Sequence, residues 1–467
     1  MRRVGQRPGD VRVRRGRRRT AIIDVVVRRR RPLRMRMWMV PAAFAAVIAL
    51  GALLLSLPVA AESGEWTKGS VALFTSASAV CVTGLVRVDT ADHWSAFGEV
   101  VIALLIQAGG LGVTMYAGAL LLVLGRRFGL TERQFFGIEL EDVEMHDVRV
   151  LLRRVMRFVF VVEGATFALL LPWFVVEDGA REGLWRAAFH AISAFNNAGF
   201  DLMGGGRSMT AHAGEPYLLV VMGASAFVGS LSFVTVLNLR RAPGRWSLDT
   251  RLVAYGMGGL LLAGMLVLLG SELGSGRVLE GQGAVAALAN TFFLSVNRTT
   301  GMATVDMSAL QDSTSVALMV LMFIGGASTS AAGGIKVGSF MVSVVVVFST
   351  VRGHDRPRAF GREIPPVVVA RAIAITMVGF ATHAAGTWLL ALTESDVGFL
   401  RLLFEAMSAL ANVGWSQGVT TGLSEEGALV VVALMFLGRL GSLLVALSVP
   451  DRTENLLRYP EASVRIG

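Results

Sequence analysis

The chain has 467 residues, of which 54% are hydrophobic and only 17% are charged. Soluble domains carry charge on about a quarter of their residues, so this composition excludes an ordinary water-soluble globule. Apolar runs of about 20 residues, the length that crosses a bilayer, recur along the chain. We therefore predict a polytopic membrane protein.

The formal net charge of +10 belongs to one end of the chain. Residues 1–37 contain 15 Arg and two Asp, and the rest of the chain has a net charge of −3. The first apolar run, 38–60, follows this tail directly. We interpret the tail as a disordered cytoplasmic anchor near anionic lipids rather than a nucleic-acid binder. A signal peptide is the alternative, because Val59-Ala60-Ala61 resembles a cleavage site, but the run exceeds the usual core of about 7–15 residues.

Eight apolar segments are long enough to cross the membrane. They cover residues 38–60, 98–124, 155–176, 216–239, 252–272, 314–350, 366–392 and 427–449, and the sixth is overlong and interrupted. Every second connection is basic: segments 126–157, 240–251, 352–371 and 452–465 carry 7, 4, 5 and 3 Arg. Because arginine-rich connections stay in the cytoplasm, both termini are predicted to be cytoplasmic.

The four connections on the other side share a pattern. Each has 12–16 semi-apolar residues that lead through small polar residues to a glycine: Gly84, Gly199, Gly301 and Gly414, spaced by 115, 102 and 113 residues. Such a period indicates an internal repeat. The predicted organisation is a basic tail (1–37), four repeats (38–125, 126–250 with a preceding cytoplasmic loop, 251–351 with an interrupted second span, and 352–450) and a cytoplasmic C-terminal tail (451–467).

Each short helix is expected to enter the membrane and turn back. An apolar helix of about 12 residues cannot cross roughly 30 Å of hydrocarbon. Irregular backbone at that depth must face protein or water, and glycine allows carbonyl groups to turn inward. We predict an all-α fold of eight spans and four re-entrant pore helices around a pseudo-fourfold pore. Its ring of carbonyl oxygens would replace the hydration shell of a cation.

Five segments carry a family resemblance. They are SASAVCVTGLVRVDT (76–90), IQAGGLG (106–112), AISAFNNAGFDL (191–202), FIGGASTSAAGGIK (323–336) and FLGRLG (436–441). Over about residues 38–450 the chain resembles the Trk/Ktr/HKT superfamily of potassium transporters, and most closely the membrane subunit of Ktr systems.

The resemblance implies a selectivity filter at the four glycines. Their neighbours would supply or orient further carbonyls: Val82, Thr83, Asn197, Ala198, Thr299, Thr300, Asn412 and Val413. Glycine in all four loops resembles the potassium-permeable pattern, whereas serine in the first is associated with sodium-selective relatives. Two residues depart from the family pattern: Thr300 stands where a small residue is expected, and Trp415 where an aliphatic one is usual.

The interrupted sixth segment contains only Gly, Ala, Ser and Thr from Gly325 to Gly334. Such clusters break helices, and the resemblance makes this stretch an intramembrane gating loop. A packed small-residue interface between spans is the alternative. The predicted gating residues are Gly325, Gly326, Ser328, Thr329, Ser330, Gly333, Gly334, Lys336 and Arg439.

Arg439 lies in the middle of the last apolar segment, where a charge is costly and indicates function. The resemblance places it below the filter as an electrostatic barrier and partner of the gating loop; a structural tie to pore-helix carbonyls is the alternative. For the other ionisable residues in apolar sequence we predict structural hydrogen bonds; they are Glu163, His190, His383 and Glu405. The acidic run 139–147 is predicted to be a solvated cytoplasmic loop, with a partner contact as the alternative.

Catalytic and metal-binding patterns are missing from the sequence. The six histidines are scattered without ligand spacing, and the single cysteine, Cys81, is expected to be a small buried residue. The glycine-rich stretch lacks the GxxxxGK[ST] pattern of a phosphate-binding loop. We therefore predict that the chain is not an enzyme and holds no cofactor, with potassium bound only at filter carbonyls.

The predicted function is potassium uptake driven by the membrane potential, with or without sodium dependence. The potential supplies about 2.3 kcal/mol per charge per 100 mV. The resemblance further implies a homodimer in the bacterial cell membrane, regulated by a cytoplasmic subunit that binds the nucleotide. Three alternatives are a sodium-selective or non-selective transporter, an integral membrane enzyme, and a membrane-anchored nucleic-acid binder.

Overall fold

The computed structural model of the protein describes residues 39–111, 148–206, 208–272, 279, 282–328 and 330–448. These residues are mostly helical. Their strands are limited to a short antiparallel hairpin of β1 (Arg358–Ala359) and β2 (Arg362–Glu363).

The helices range in length from 4 to 31 residues. They are α1 (Met39–Ser56), α2 (Gly69–Cys81), α3 (Thr90–His93), α4 (Ala96–Gly110), α5 (Val148–Asp178), α6 (Ala180–Phe195), α7 (Pro216–Ser230), α8 (Phe233–Leu239), α9 (Leu248–Glu272), α10 (Ala284–Asn297), α11 (Asp312–Phe323), α12 (Val337–Val351), α13 (Pro366–Thr393), α14 (Phe399–Leu410) and α15 (Glu425–Ser448). Short 3-10 turns cover Pro58–Ala60, Ser208–His212, Pro243–Arg245, Met307–Ala309 and Thr420–Gly422.

Local sequence signals account for several helix starts. Pro216 and Pro366 are the first residues of α7 and α13, where the missing N–H is not needed and the fixed φ suits the helix. Ser232 caps α8, since its hydroxyl accepts a hydrogen bond from the Thr235 N–H at 3.0 Å.

Among the described residues, three helices are long and apolar enough to cross a membrane: Arg153–Asp178 within α5, α9 and α13. The pair α7 and α8 passes the same test together but is bent by 102°. The chain therefore has the apolar helices of a multi-pass membrane protein.

The span predicted over residues 216–239 is bent between α7 and α8, a feature that the sequence did not indicate. The bend exposes the carbonyls of Gly229 and Ser230, which accept hydrogen bonds from Ala331 N at 3.2 Å and Ala327 N at 2.9 Å. The break in this span therefore provides hydrogen-bond acceptors for a distant segment of the chain. Local helix propensity did not reveal it because the partner lies so far away in the sequence.

Alongside an apolar core, the molecule buries a set of polar residues and exposes large apolar side chains on its outer helices. Thr83, Asn197, Thr300 and Asn412 are fully buried. Leucines on the outer helices are two-thirds exposed: Leu53 67%, Leu266 69% and Leu392 63%. A soluble protein shows the opposite distribution, so this perimeter suits hydrocarbon.

Candidate ion pathway

Four short helices, α2, α6, α10 and α14, end three or four residues before the four predicted glycines. All four glycines have positive φ angles: 87° at Gly84, 77° at Gly199, 87° at Gly301 and 107° at Gly414. Side chains disfavour this region of backbone space, so glycine is the residue that reaches it without strain.

The four loops meet in a closed ring. A Cβ atom added to Gly84 would lie 2.6 Å from the carbonyl oxygen of Ala198 in the second loop. The same substitution would press Gly199 against the Thr300 oxygen, Gly301 against the Val413 oxygen, and Gly414 against the Thr83 oxygen. Each glycine thus touches the residue before the glycine of the next loop, and the fourth loop returns to the first. We call residues 83–84, 198–199, 300–301 and 413–414 the carbonyl ring.

The carbonyl ring has the chemistry of an alkali-cation site. Its contacts are made by backbone oxygens, and the side chains that tie neighbouring loops together are hydroxyls and amides. Carbonyl dipoles can replace the hydration shell of a monovalent ion, and the C-terminal ends of four helices add partial negative charge. The arrangement suits binding and release of a cation without covalent chemistry.

A serine lies six residues before each glycine, which we did not predict, and in two of the four loops it supports the ring. These serines are Ser78, Ser193, Ser295 and Ser408. In the first and fourth loops the serine hydroxyl accepts a hydrogen bond from the glycine N–H at 3.0 Å. The constant spacing of six residues was the signal that could have revealed them.

The third loop breaks the fourfold pattern. In the other three loops the residue two before the glycine is left-handed: Val82, Asn197 and Asn412 have φ of 56°, 57° and 51°. In the third loop, by contrast, Thr300 and Gly301 both donate their N–H to the Asn297 carbonyl, at 2.9 and 2.8 Å. The ring is therefore only approximately fourfold.

Side-chain hydrogen bonds tie neighbouring loops together. The Asn412 amide of the fourth loop donates to the Thr83 hydroxyl of the first at 3.0 Å. The Asn197 carbonyl oxygen of the second loop accepts from the hydroxyls of Thr299 and Thr300 in the third, each at 2.9 Å. The unexpected threonine at position 300 thus has a structural role between two loops.

Paired substitutions of Thr299 and Thr300 by valine test this tie. Each single variant leaves the buried Asn197 oxygen with one donor, so we expect a loss of about 1 kcal/mol in unfolding free energy. The double variant leaves that oxygen unpaired, and the cost should exceed the sum of the singles by about 1 kcal/mol or more. Thermal unfolding of the purified protein in detergent measures this; additive losses would contradict the shared tie.

Trp415 ties the fourth loop to the third. Its indole Nε1–H donates to the Met302 carbonyl at 3.2 Å, and the side chain is fully buried. This second departure from the family pattern therefore also links adjacent loops, because an aliphatic residue has no donor for that carbonyl.

An acidic side chain that we did not predict, Asp201, lies two residues beyond Gly199. It accepts hydrogen bonds from the Ser208 hydroxyl at 2.8 Å and the Met203 N–H at 3.1 Å. Burial, with a smaller contribution from the negative charge of Asp89, raises the pKa of the Asp201 carboxyl to about 6, although its two hydrogen bonds act in the opposite direction. The carboxylate therefore changes its charge near neutral pH.

Protonation of Asp201 should reduce cation entry. Above its pKa the carboxyl is negative and attracts cations to the ring; below that pKa it is neutral. We expect uptake at low cation concentration to fall as pH decreases from about 7 to about 5. The Asp201→Asn variant should keep the lower rate throughout this range, as measured by tracer flux in liposomes. An Asp201→Asn variant with the full pH dependence would contradict this assignment.

The segment between α11 and α12, residues 324–336, is folded against the fourth loop; we call it the interrupted segment. Its two arms pair at their base, where Gly325 N donates to Ile335 O at 2.8 Å and Ile335 N donates to Phe323 O at 3.0 Å. Farther along, a Cβ atom on Gly333 would lie 2.5 Å from the Cβ of Asn412. The segment therefore reaches the residues beside the carbonyl ring.

The other predicted gating residues lie along this segment. A Cβ on Gly325 would meet the Gly333 carbonyl, and one on Gly326 would lie 2.7 Å from the Ser230 carbonyl. Gly334 has a φ of 70°, and Lys336 donates to the Ala332 carbonyl at 2.7 Å just before α12. Ser328 is half-buried and Ser330 is buried, whereas Thr329 lies outside the described residues.

Arg439 of α15 joins the interrupted segment to α4. Its guanidinium donates to the Ala331 carbonyl at 2.5 Å and to the Gly109 carbonyl at 2.7 Å, and the residue is buried. The arginine thus places a positive charge against the tip of the segment. It also connects that tip to α4.

The remaining ionisable residues make mostly structural contacts. Glu163 accepts from the Asn196 amide at 2.9 Å, and Glu405 accepts from Ser416 at 2.7 Å and from Thr420. The two ring nitrogens of His190 contact Arg186 O at 2.7 Å and Leu202 N at 3.3 Å. The hydrogen bond expected for His383 is not found at its buried Nδ1 among the described residues.

Other predictions concern parts of the chain outside the described residues. They are the basic tail 1–37, the acidic run 139–147 and the C-terminal tail 451–467. Cys81 is fully buried at the end of α2, as expected for a small apolar residue.

Comparison with known proteins decides the family. The profile described as "TrkH: Cation transport protein" matches residues 31–241 and 252–453. The chain belongs to the TrkH family. The family resemblance predicted from the motifs is therefore confirmed, and the TrkH-family chain is a cation transporter rather than an enzyme.

Relatives of this TrkH-family chain match almost end to end. The potassium/sodium uptake protein NtpJ of Enterococcus hirae is 33% identical over 439 residues, which cover 92% of this chain and 96% of that protein. The Ktr system potassium uptake protein B of Bacillus subtilis is 32% identical over 428 residues, covering 91% and 95%. The crystal structure of the potassium transporter TrkH from Vibrio parahaemolyticus superposes with a TM-score of 0.67 at 18% identity, covering 90% of this chain and 86% of that one. That structural likeness shows the shared fold.

Proposed function

We propose that the protein takes up potassium ions across the cell membrane through the carbonyl ring. The closed contact of Gly84, Gly199, Gly301 and Gly414 with the carbonyls of successive loops carries this proposal. Such a ring offers backbone oxygens to a dehydrated monovalent cation and has no group suited to covalent chemistry. Relatives named as potassium uptake proteins support potassium as the ion.

The proposed architecture has four repeats of span, pore helix and span. The pore helices are α2, α6, α10 and α14, and the flanking spans are α1 and α4, α5 and α7–α8, α9 and α11–α12, and α13 and α15. The repeat boundaries are 38–125, 126–250, 251–351 and 352–450. Four similar units around one axis suit a cation path because each contributes one loop to the ring.

The interrupted segment and Arg439 form the proposed gate beneath the ring. Small residues allow the segment to lie close to the fourth loop, and the buried positive charge of Arg439 opposes cation passage while the segment is in place. Movement of the segment away from the ring would open the path.

The proposed assembly is a homodimer in the bacterial cell membrane with both termini in the cytoplasm. Its relatives include membrane proteins named as parts of Ktr systems. We propose a separate cytoplasmic subunit that binds the regulatory nucleotide, so that this chain needs no cofactor beyond its transported ion.

Sodium transport is the second candidate function, since one relative is named as a potassium/sodium uptake protein. Thr300 and Trp415 depart from the family pattern at the ring, which makes ion choice a question for this chain in particular. Glycine in all four loops favours potassium.

Reconstitution of the purified protein in liposomes tests the proposal. Under an inside-negative potential we expect rubidium, as a potassium tracer, to enter faster than sodium. Empty liposomes and the Gly84→Ser variant are the controls. Sodium flux equal to or above rubidium flux would reject the potassium assignment and favour the sodium alternative.

A further inference from the structure

We propose that Arg298 is a positioning residue that couples the interrupted segment to the third loop of the carbonyl ring. Through this residue, a rearrangement of the segment would change ion selection as well as ion flow. The inference rests on the proposed function. It concerns a second buried arginine that no motif in the sequence had singled out.

The guanidinium of Arg298 makes hydrogen bonds at the C-terminal end of α11, the helix that leads into the segment. The residue is 2% exposed and directly follows α10. Its Nη1 donates to the Leu321 carbonyl at 3.3 Å and also to the Ile324 carbonyl, while Nη2 lies 3.8 Å from the Met257 sulfur. The last carbonyls of a helix lack intrahelical donors and carry partial negative charge, so the guanidinium caps α11.

The hydrogen bond from Arg298 to the Ile324 carbonyl lies at the base of the interrupted segment. Ile324 begins the segment and forms a parallel β-bridge with Ile335, which lies near the start of α12. Since both arms are joined there, the position of Arg298 and the position of the whole base are linked.

Along the chain, Arg298 is followed directly by the third loop of the carbonyl ring. The next three residues are Thr299, Thr300 and Gly301, and the two threonine hydroxyls hold Asn197 of the second loop. A shift of the guanidinium is therefore passed within one to three residues to a ring carbonyl. The contacts form one continuous path from segment to ring.

A residue that only filled space at position 298 would not need to be an arginine. Burying a charge is costly, and among the described residues no carboxylate forms an ion pair with Arg298. A planar guanidinium can donate to two carbonyls at once, which a lysine ammonium does less well. The other loops have Cys81, Asn196 and Ala411 at this position, so the arginine occurs in the repeat that contains the interrupted segment.

Arg298 and Arg439 hold different parts of the segment. Arg439 contacts the tip, at the Ala331 carbonyl, and connects it to α4. Arg298 contacts the base and connects it to the third loop. Loss of Arg439 should therefore act mainly on flow, and loss of Arg298 on ion choice.

The test measures the ratio of sodium to rubidium flux in liposomes containing the full chain. Arg298→Met should raise this ratio about tenfold, the effect of one lost charge-assisted hydrogen bond, and Arg298→Lys should be intermediate. Arg401→Met, the same change at an exposed position on α14, should leave the ratio unchanged. Size-exclusion profiles check that each variant is folded.

A double-variant cycle separates coupling from simple structural support. Gly334→Ala strains the base of the segment, because Gly334 has a φ of 70° and the added Cβ would lie 3.0 Å from Gly325 N; the three nearest atoms belong to Gly325 and Phe323 and not to the ring. We expect Gly334→Ala to raise the sodium to rubidium ratio when Arg298 is present and to add nothing in the Arg298→Met chain. If Arg298→Met does not fold, Arg298→Lys carries the same cycle, with a reduced effect of Gly334→Ala.

Two results overturn the inference. One is an unchanged ratio in folded Arg298→Met and Arg298→Lys protein that still transports rubidium; the other is a Gly334→Ala effect of equal size in both backgrounds. Absence of rubidium flux from the unmodified protein is a different result, which overturns the proposed function together with this inference.

Discussion

Replacing Gly84 by serine is expected to lower rubidium flux by about tenfold to a hundredfold and to remove the preference for rubidium over sodium. A side chain at a φ of 87° is strained by about 1–3 kcal/mol. Its Cβ would also lie 2.6 Å from the Ala198 carbonyl and 2.9 Å from the Gly199 Cα, so the first two loops must separate. Tracer flux of both ions in liposomes measures the change.

Gly64→Ser is the matched control for this variant. Gly64 has a similar φ of 69°, but an added Cβ would have no atom within 4 Å. This control carries the backbone strain without the crowding at the ring, and we expect its rubidium flux to equal that of the unmodified protein. Equal fluxes from the Gly84 and Gly64 variants would show that the carbonyl ring does not select the ion.

Replacing Arg439 by glutamine is expected to raise the maximal rate of rubidium uptake by about tenfold, equivalent to a barrier about 1.4 kcal/mol lower. The substitution removes the buried positive charge that contacts the interrupted segment and releases the Ala331 and Gly109 carbonyls. Those buried carbonyls lose donors, so the unfolding free energy should fall by about 1–3 kcal/mol. Initial rates at saturating rubidium and thermal unfolding in detergent give the two quantities.

Arg439→Lys separates charge from hydrogen bonding. Lysine keeps the positive charge but cannot span both carbonyls with a planar fork. We expect this variant to lose stability while its maximal rate stays near that of the unmodified protein. A rate increase of the same size in both variants would mean that Arg439 acts as a structural tie, and the barrier role would then be wrong.

Much of the pathway could be read from residue types and spacing. Four apolar stretches too short to span a bilayer, each leading to a glycine, predicted where backbone must turn. Gly84, Gly199, Gly301 and Gly414 all have the positive φ that this reasoning requires. The Gly/Ala/Ser/Thr stretch likewise marked where the structure breaks between α11 and α12.

Other features depended on partners far away in the chain. The bend between α7 and α8 makes sense only beside Ala327 and Ala331, about 100 residues later. The departure of Thr300 from the family pattern is explained by its hydrogen bond to Asn197, 103 residues earlier. Over a shorter separation of 26 residues, only the folded chain shows that the Arg298 guanidinium contacts the Ile324 carbonyl. Hydrogen bonds between distant segments leave no periodic signal, so no local pattern could have revealed them.

The sequence by itself determined the membrane class, the family and the four turning points, because apolar length and glycine backbone freedom are local properties. It also showed that the charge of +10 belongs to one tail and not to the body of the protein. Tertiary structure alone decided how the loops close: which carbonyl each glycine faces, how the third loop departs from the other three, and which buried arginine holds which part of the interrupted segment. The ring contacts and the Arg439 contact join chain segments roughly a hundred or more residues apart, and the Arg298 contact spans 26 residues. Packing rather than local propensity sets these contacts.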